Sequence, residues 1–201
     1  MVLHKTINIC GPEGAGRATL IGRMLQVFGS DQMMMILDPL NERIDTCDEA
    51  TKLLRSRGIA PTFYTLEHHI TIEEASAAPL CTQAACTIVV LSPDTLESWG
   101  EINKSLNEKS IILINKMDTI NWDIKEFQSI VERLGCDPKK IPILPISAFH
   151  NDNVYEKAHE KVHEKALWYG SWMAAGKSSP NLKDVLMHYL WLDSGVQSKD
   201  H

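Results

Sequence analysis

Apolar residues occur at two different spacings along the chain, and this predicts strands that alternate with helices. Strands buried on both faces of a parallel sheet are apolar almost without interruption. Runs of this kind occupy residues 87–92, 110–115 and 141–147, and an alternating segment covers 4–10. The prolines within 141–147 indicate an edge strand, because proline cannot donate to a sheet ladder. A hairpin is predicted at 62–73, where short apolar stretches are close together.

Between the strands, apolar residues recur at intervals of three and four, which is typical of helices. Helices are predicted at 17–28, 41–56, 94–108, 123–135, 154–172 and 181–192, and 33–37 fits either a strand or a helix. The inward positions of the helix at 123–135 are Ile124, Phe127, Ile130, Val131 and Leu134. The sequence therefore predicts an α/β fold with three layers, in which helices cover both faces of a mostly parallel sheet.

Composition narrows the classes of protein that fit this pattern. The chain has 201 residues and a formal net charge of −6, so we expect one domain at 1–193, a flexible tail at 194–201, and no broadly basic face for nucleic acid. No run reaches the roughly 20 apolar residues of a membrane helix, and the N-terminus leads directly into a strand. The five cysteines form no Cys-x-x-Cys pair, which favours a reducing compartment. We expect an intracellular, cytoplasmic protein, with the nucleus left open and no contact with a membrane.

A glycine-rich turn joins the first predicted strand to the first helix. Gly11, Gly14 and Gly16 have the Gly-x-x-x-x-Gly spacing of a P-loop, whose backbone amides and helix N-terminus bind phosphate. The motif should continue with lysine and then serine or threonine, but here Arg17 and Ala18 follow. Arginine is longer and forked, and alanine has no hydroxyl for magnesium. The loop predicts a phosphate site, with a simple tight turn as the alternative.

A second motif follows the strand at 110–115. Asn115, Lys116 and Asp118 form the pattern Asn-Lys-x-Asp at the carboxyl end of that strand, where ligands bind in such sheets. An aspartate can accept two hydrogen bonds from guanine, which adenine cannot offer. Ser147 and Ala148 end the next strand, and a backbone amide there can contact the guanine oxygen. These residues predict a guanine site, although a chance polar turn is the alternative.

Taken together, these motifs resemble the G domain of eukaryotic elongation factor 1-alpha and related translational GTPases. Further matching segments are 55–60, 70–78, 83–86, 145–153 and 168–172. The likeness covers nearly the whole chain in order, and it implies a P-loop GTPase fold that takes GDP or GTP. We expect the two β-barrel domains of that family to be absent.

The departures from the family pattern fall on its chemistry. Ala18 and Ala60 replace the two side-chain ligands of magnesium, and Glu74 stands where an aspartate holds a metal-bound water. Ala77 and Ala78 replace the glycine that senses the γ-phosphate and the histidine that positions water. Phosphoryl transfer depends on this metal and this water. The resemblance therefore implies no catalytic residue, no magnesium ligand and little or no hydrolysis.

Three hypotheses follow from the motifs and their departures. The first is a pseudo-GTPase that acts mainly through protein contacts and binds guanine nucleotide weakly without magnesium. The second is an active translation-factor-like GTPase with unusual ligands. The third is a nucleotide-free scaffold that copies the elongation factor surface. Each involves a protein partner, for which Trp168 and Trp172 offer a candidate surface, and contact with nucleic acid would be indirect.

Overall fold

The computed structural model describes residues 2–29, 47–65, 67–75, 83–155, 168–169, 172–174, 177–179 and 181–192. Predictions for 33–37, for Ala77 and Ala78, for most of 154–172 and for the tail 194–201 lie outside these residues. In chain order the elements are β1 (Leu3–Cys10), α1 (Arg17–Phe28), α2 (Cys47–Ser56), β2 (Thr62–Tyr64), β3 (His68–Ala75), β4 (Cys86–Leu91), α3 (Trp99–Ile102), β5 (Ser110–Ile114), α4 (Ile124–Leu134), β6 (Ile143–Pro145), β7 (Trp172–Ala174), β8 (Lys177–Ser179) and α5 (Leu182–Leu192).

Six of the strands form one sheet, in the order β2-β3-β1-β4-β5-β6. The pairings of β1 with β3 and β4, of β4 with β5 and of β5 with β6 are parallel, while β2 pairs antiparallel with β3 as the predicted hairpin. The proline-containing strand β6 lies at the edge, as predicted. β3 lies on one side of β1 and β4 on the other, so the order in which the chain adds strands to the sheet reverses at β1. The loop after β1 therefore leaves the sheet at its topological switch point.

The central strands are buried on both faces, which explains their uninterrupted apolar sequence. In β4, Ile88 and Val90 pack into one apolar cluster with α1, α2 and α5, whereas Val89 and Leu91 pack into a second cluster with α3 and α4. Successive side chains of a strand point to opposite faces, so each strand contributes to both clusters. The predicted α/β sandwich, with helices on both faces of a mostly parallel sheet, is confirmed. Within the described residues, no helix is both long and apolar enough to cross a bilayer.

Three predictions of secondary structure or burial were wrong. Residues 94–108 do not form one helix: a 3₁₀ turn at Pro93–Ser98 precedes α3, and another follows at Asn103–Ser105. Thr95 Oγ1 accepts from the amide of Ser92 at 2.9 Å and tightens the first turn. Gly100 has a low helix propensity, which disfavours one continuous helix here. Ile124 is 39% exposed because it begins α4. Trp172 does not end a helix but begins β7, which is stabilised by its pairing with β8.

Helix α2 packs closely against α1, and this contact fixes the position of the last turn of α2. A side chain on Gly22 of α1 would overlap the backbone carbonyl of Cys47 at the start of α2. The buried hydroxyl of Thr51 donates to the carbonyl oxygen of Ala18 at 2.8 Å, which joins the middle of α2 to the first turn of α1. The last turn of α2 is thereby held near the loop that precedes α1.

Replacing Gly22 should test this packing. We expect Gly22→Ala to lower the free energy of unfolding by about 1–3 kcal/mol, since the new methyl group overlaps backbone that cannot turn aside. Gly100→Ala is the matched control, because an added Cβ at Gly100 meets no atom within 4 Å and its φ is not positive. Urea unfolding followed by circular dichroism would measure both variants. Equal stability of the two would contradict the close approach of α1 and α2.

Candidate functional site

The predicted phosphate loop connects the end of β1 to α1 at the switch point of the sheet. Gly16 has φ 92° and is the N-cap residue of α1, and a Cβ there would overlap the side-chain amide of Asn115. Gly11 has φ 149°, and a Cβ there would overlap the carbonyl oxygen of Val90. Gly14 also has a positive φ, of 82°. Glycine is therefore required for both the conformation of this loop and its close contact with neighbouring strands.

Asn115 joins three loops at the carboxyl ends of their strands. Its Nδ2 donates to the carbonyl oxygen of Ala15 at 2.9 Å, and its Oδ1 accepts from the amide of Ala148 at 3.0 Å. Its own backbone amide donates to the carbonyl oxygen of Leu91 at 2.7 Å. Asn115 is 2% exposed, so these bonds are protected from water. One buried side chain thus fixes the glycine loop relative to the turn after β6.

Lys116 and Asp118 lie on either side of the buried Met117. Lys116 adopts φ 62°, and its Cε lies 4.0 Å from the position of a Cβ on Gly16, so its stem runs beside the glycine loop. The amide of Met117 donates to the carbonyl oxygen of Ile146 at 3.2 Å. The carboxylate of Asp118 keeps 25% of its side-chain surface exposed and lies 3.9 Å from Nε2 of His150. Asp118 therefore remains accessible to a ligand.

The turn after β6 is held from both sides. Ser147 and Asp152 exchange backbone hydrogen bonds of 3.1 and 3.0 Å, which close the turn on itself. From α1, Nε of Arg23 donates to the carbonyl oxygen of Ala148 at 3.0 Å, and Nη2 donates to that of Phe149. The amide of Ala148, predicted to face the guanine oxygen, donates to Asn115 in this structure. A guanine oxygen would therefore have to share the amide of Ala148 with Oδ1 of Asn115.

Near the glycine loop, the carboxylate of Glu74 lies close to two arginines, Arg17 and Arg55. Nη1 of Arg17 donates to the carbonyl oxygen of Ala75 at 2.6 Å, and its Nε lies 3.6 Å from Oε1 of Glu74. Arg55, at the end of α2, donates from Nε to Oε2 of Glu74 at 2.8 Å and from Nη2 to Oε1 at 2.6 Å. The side chains of Arg17 and Glu74 are 16% and 17% exposed. We refer to Arg17, Glu74 and Arg55 as the charge triad.

Two positions that the resemblance matches to magnesium ligands, Ala18 and Ala60, have side chains without oxygen. Ala18 is half-buried and its carbonyl oxygen accepts from Thr51, while Ala60 is exposed beyond the end of α2. Ala77 and Ala78 are outside the described residues. Across the part of the chain that the structure describes, no three histidine, cysteine, aspartate or glutamate side chains are grouped to hold a metal ion.

The predicted site residues converge at one end of the sheet, but sequence reasoning missed two residues that shape the site. The converging residues are Gly11, Gly14, Gly16, Arg17, Asn115, Lys116, Asp118, Ser147 and Ala148. Arg55 and Arg23 were assigned no role from the sequence. Their partners, Glu74 and Ala148, lie 19 and 125 residues away along the chain, so no local pattern could have indicated either contact.

Solved structures with the same architecture define the class of fold. Sup35 complexed with GDP matches 92% of this chain and 44% of its own, with a TM-score of 0.62 and 19% identity. The S. cerevisiae Ski7 GTPase-like domain bound to GTP matches 98% of this chain and 52% of its own, with a TM-score of 0.63 and 16% identity. The chain has the fold of the G domains of translational GTPases.

Sequence comparison gives a more particular likeness. The chain is 27% identical over 229 residues to elongation factor 1-alpha of Absidia glauca, and 29% identical over 221 residues to that of Coccidioides immitis. These alignments cover 91% and 88% of this chain and 49% and 47% of the two factors, so the chain spans about half the length of the curated relatives that it matches. No protein-family model matches it. The chain is thus distantly similar to the G-domain portion of elongation factor 1-alpha over most of its own length.

Removing the Asn115 side chain should loosen the site. We expect Asn115→Ala to lower the free energy of unfolding by about 1–3 kcal/mol, because the buried carbonyl of Ala15 and amide of Ala148 both lose their partner. Asn103→Ala is the control, since Asn103 is exposed on a 3₁₀ turn. Chemical denaturation would compare the two variants. A loss no larger than that of the control would show that the bridge is energetically unimportant.

The thiol of Cys10, beside the glycine loop, should make stability depend on alkaline pH. Burial raises the pKa of Cys10 from 9.0 to about 11, and the charge of Arg17 partly opposes this rise. The unfolded thiol ionises first, so the free energy of unfolding should fall as pH rises from about 9 to about 11, by at most about 3 kcal/mol.

Cys10→Ala should remove that part of the decline. Burial also raises the pKa of Tyr189, to about 12, and this contributes to the decline in both proteins. The difference between wild type and variant across a series of urea titrations therefore isolates the thiol. If the two curves run parallel from pH 8 to 11, Cys10 is not a buried neutral thiol.

Proposed function

We propose that this chain is a pseudo-GTPase: a G domain that binds guanine nucleotide weakly and without magnesium, hydrolyses little or none of it, and acts mainly through contacts with protein. One observation carries the proposal. At the base-reading end of the site, which contains Asn115, Lys116 and Asp118, both hydrogen bonds of the Asn115 side chain are made. At the phosphate end, which contains the glycine loop and the charge triad, the oxygens of Glu74 are bound by Arg55 instead of being available to a metal-bound water.

The base-reading end supports selectivity for guanine. The carboxylate of Asp118 is accessible, and the stem of Lys116 lies beside the glycine loop, where it can cover a bound base. A bidentate hydrogen bond from guanine to a fixed carboxylate discriminates strongly against bases that lack the two donors. The structures with this fold include Sup35 complexed with GDP and a Ski7 GTPase-like domain bound to GTP, which is consistent with a nucleotide at this position.

The phosphate end supports the loss of hydrolysis. Magnesium prefers octahedral coordination by oxygen, and the side chains of Ala18 and Ala60 provide none. Glu74, near the end of β3, is bound by Arg55 and lies close to Arg17. Among the residues that the structure describes at this end, the side chains therefore do not fit a magnesium ion. Without a metal to neutralise developing charge and without a positioned water, transfer of the γ-phosphoryl group loses its main sources of acceleration.

A second surface supports a role in protein contacts. A groove of about 540 Å³ lies at the amino ends of the strands, away from the glycine loop. Its lining includes the aromatic residues Phe28, Tyr64, Tyr155 and Trp191, together with Glu67 and Lys183. Tyr64 and Trp191 keep 43% and 47% of their surface exposed, and aromatic side chains are enriched where proteins bind one another. The identity of a partner, and any role in translation, belong to the proposal.

Titration calorimetry tests the nucleotide part directly. GDP, GTP and, as a control, ATP would be titrated into the wild-type chain in magnesium and again in EDTA, and phosphate release from GTP would be followed separately. We expect binding of GDP and GTP that is unchanged by EDTA, none of ATP, and no phosphate release above background. Asp118→Asn should weaken guanine binding about 10- to 100-fold by removing the charged acceptor.

Glu101→Gln is the matched control for Asp118→Asn, because it removes one negative charge from an exposed position on α3. It should bind like the wild type. Magnesium-dependent phosphate release would instead support an active GTPase. The absence of heat with every nucleotide would reject both enzymatic and nucleotide-binding roles and leave the scaffold.

A further inference from the structure

The charge triad joins three separate elements at the phosphate end of the site. Arg17 begins α1, Arg55 lies in the last turn of α2, and Glu74 lies near the end of β3. In the parallel pairing of β1 with β3, Ile9 is opposite Glu74 and Cys10 is opposite Ala75, so Glu74 lies directly beside the start of the glycine loop. A bound nucleotide would extend its phosphates over this loop.

The carboxylate of Glu74 needs a positive partner where it lies. Its side chain is only 17% exposed, and a carboxylate removed from water is costly unless it is paired and hydrogen-bonded. Arg55 provides this pairing in the strongest form available to a side chain, a fork in which two nitrogens contact both carboxylate oxygens. Arg17 adds a second cation, with its Nε 3.6 Å from Oε1.

The pairing leaves Arg55 able to contact an anion. The bonds to Glu74 use Nε and Nη2, and among the described residues no contact involves Nη1. The side chain of Arg55 is 43% exposed, so Nη1 can be reached from solvent. A guanidinium held by a carboxylate on one edge can bind phosphate oxygen with the other, because its charge is delocalised over the whole plane. Within the triad, two cations outweigh one carboxylate.

Building on the pseudo-GTPase proposed above, we infer that Arg55 replaces magnesium in this site: fixed by Glu74, its guanidinium neutralises the phosphates of a guanine nucleotide together with Arg17. This explains why the carboxylate next to the loop is bound by arginine and why Ala18 and Ala60 can lack oxygen ligands. Arg55 is thus the residue that makes nucleotide binding independent of a divalent cation. A purely structural ion pair would change stability without changing affinity for phosphate.

The test compares Arg55→Met with Lys52→Met, which removes the same charge from an exposed position on the same helix, where Lys52 pairs with Asp48 at 2.7 Å. The dissociation constant of GDP would be measured by calorimetry in EDTA and in magnesium. We expect wild type and Lys52→Met to give the same value under both conditions. Arg55→Met should weaken binding at least about tenfold in EDTA, the loss of one charged hydrogen-bonding group, and magnesium should not restore it.

A further variant guards against a failure to fold. Arg55→Lys keeps the charge but loses the fork, and its affinity in EDTA should lie between those of the wild type and Arg55→Met. Circular dichroism would establish that each variant is folded before titration. If Arg55→Met and Arg55→Lys both bind GDP as tightly as Lys52→Met, the inference is overturned while the pseudo-GTPase stands.

The wild-type titration separates the remaining outcomes. Binding that occurs only with magnesium overturns the role of Arg55, because the site then needs the metal that the arginine is inferred to replace. Lack of any binding by the wild type rejects nucleotide binding itself, and the inference with it, before any variant is considered. Selective GDP binding in EDTA that depends on Arg55 but not on Lys52 supports both the proposed function and the inference.

Discussion

The geometry of the site depends on the side chain of Asn115. The loops that follow β1 and β6 do not pair with each other as strands, and the buried amide of Asn115 connects them through the carbonyl of Ala15 and the amide of Ala148. Since both partners are backbone groups, the bridge fixes the course of the chain and not only the position of a side chain. Residue 16 must then be glycine, because any Cβ there would overlap the side-chain amide of Asn115. The end of the site that is predicted to bind guanine is consequently preorganised by uncharged hydrogen bonds.

The phosphate end follows a different physical logic. It brings together Arg17, Glu74 and Arg55, and the carboxylate of Glu74, which is largely removed from water, requires compensation at close range. Here protein side chains provide it, from elements that the close packing of α1 and α2 brings near the loop. In the proposed pseudo-GTPase, this positive charge takes the place of a metal and its oxygen ligands.

Much of the fold could be predicted from the sequence because its signals are local. The uninterrupted apolar strands β4 and β5, and the helix that begins at Arg17, follow from spacing alone. The glycine loop and Asn-Lys-x-Asp could be found because each is contiguous and its position in the fold is set by the strand before it. The prediction of one helix at 94–108 was wrong, because hydrogen bonds between Ser92 and Thr95 begin the segment as a 3₁₀ turn despite its apolar periodicity.

The parts of the site that escaped prediction are those produced by tertiary approach. In the sequence, Arg55 looks like an ordinary exposed helix residue. Glu74 is marked only by the resemblance, as the counterpart of an aspartate, and nothing local indicates an arginine partner. Their pairing exists only because Gly22 lets α2 lie against α1 and because β3 pairs in register with β1. Under the proposed function, a substitution that is conservative in type, such as glutamate for aspartate, accompanies a change in how the site holds phosphate because an arginine lies within reach. Judging whether such a domain retains its chemistry requires asking which charge faces the carboxylate, and not only whether each motif residue is present.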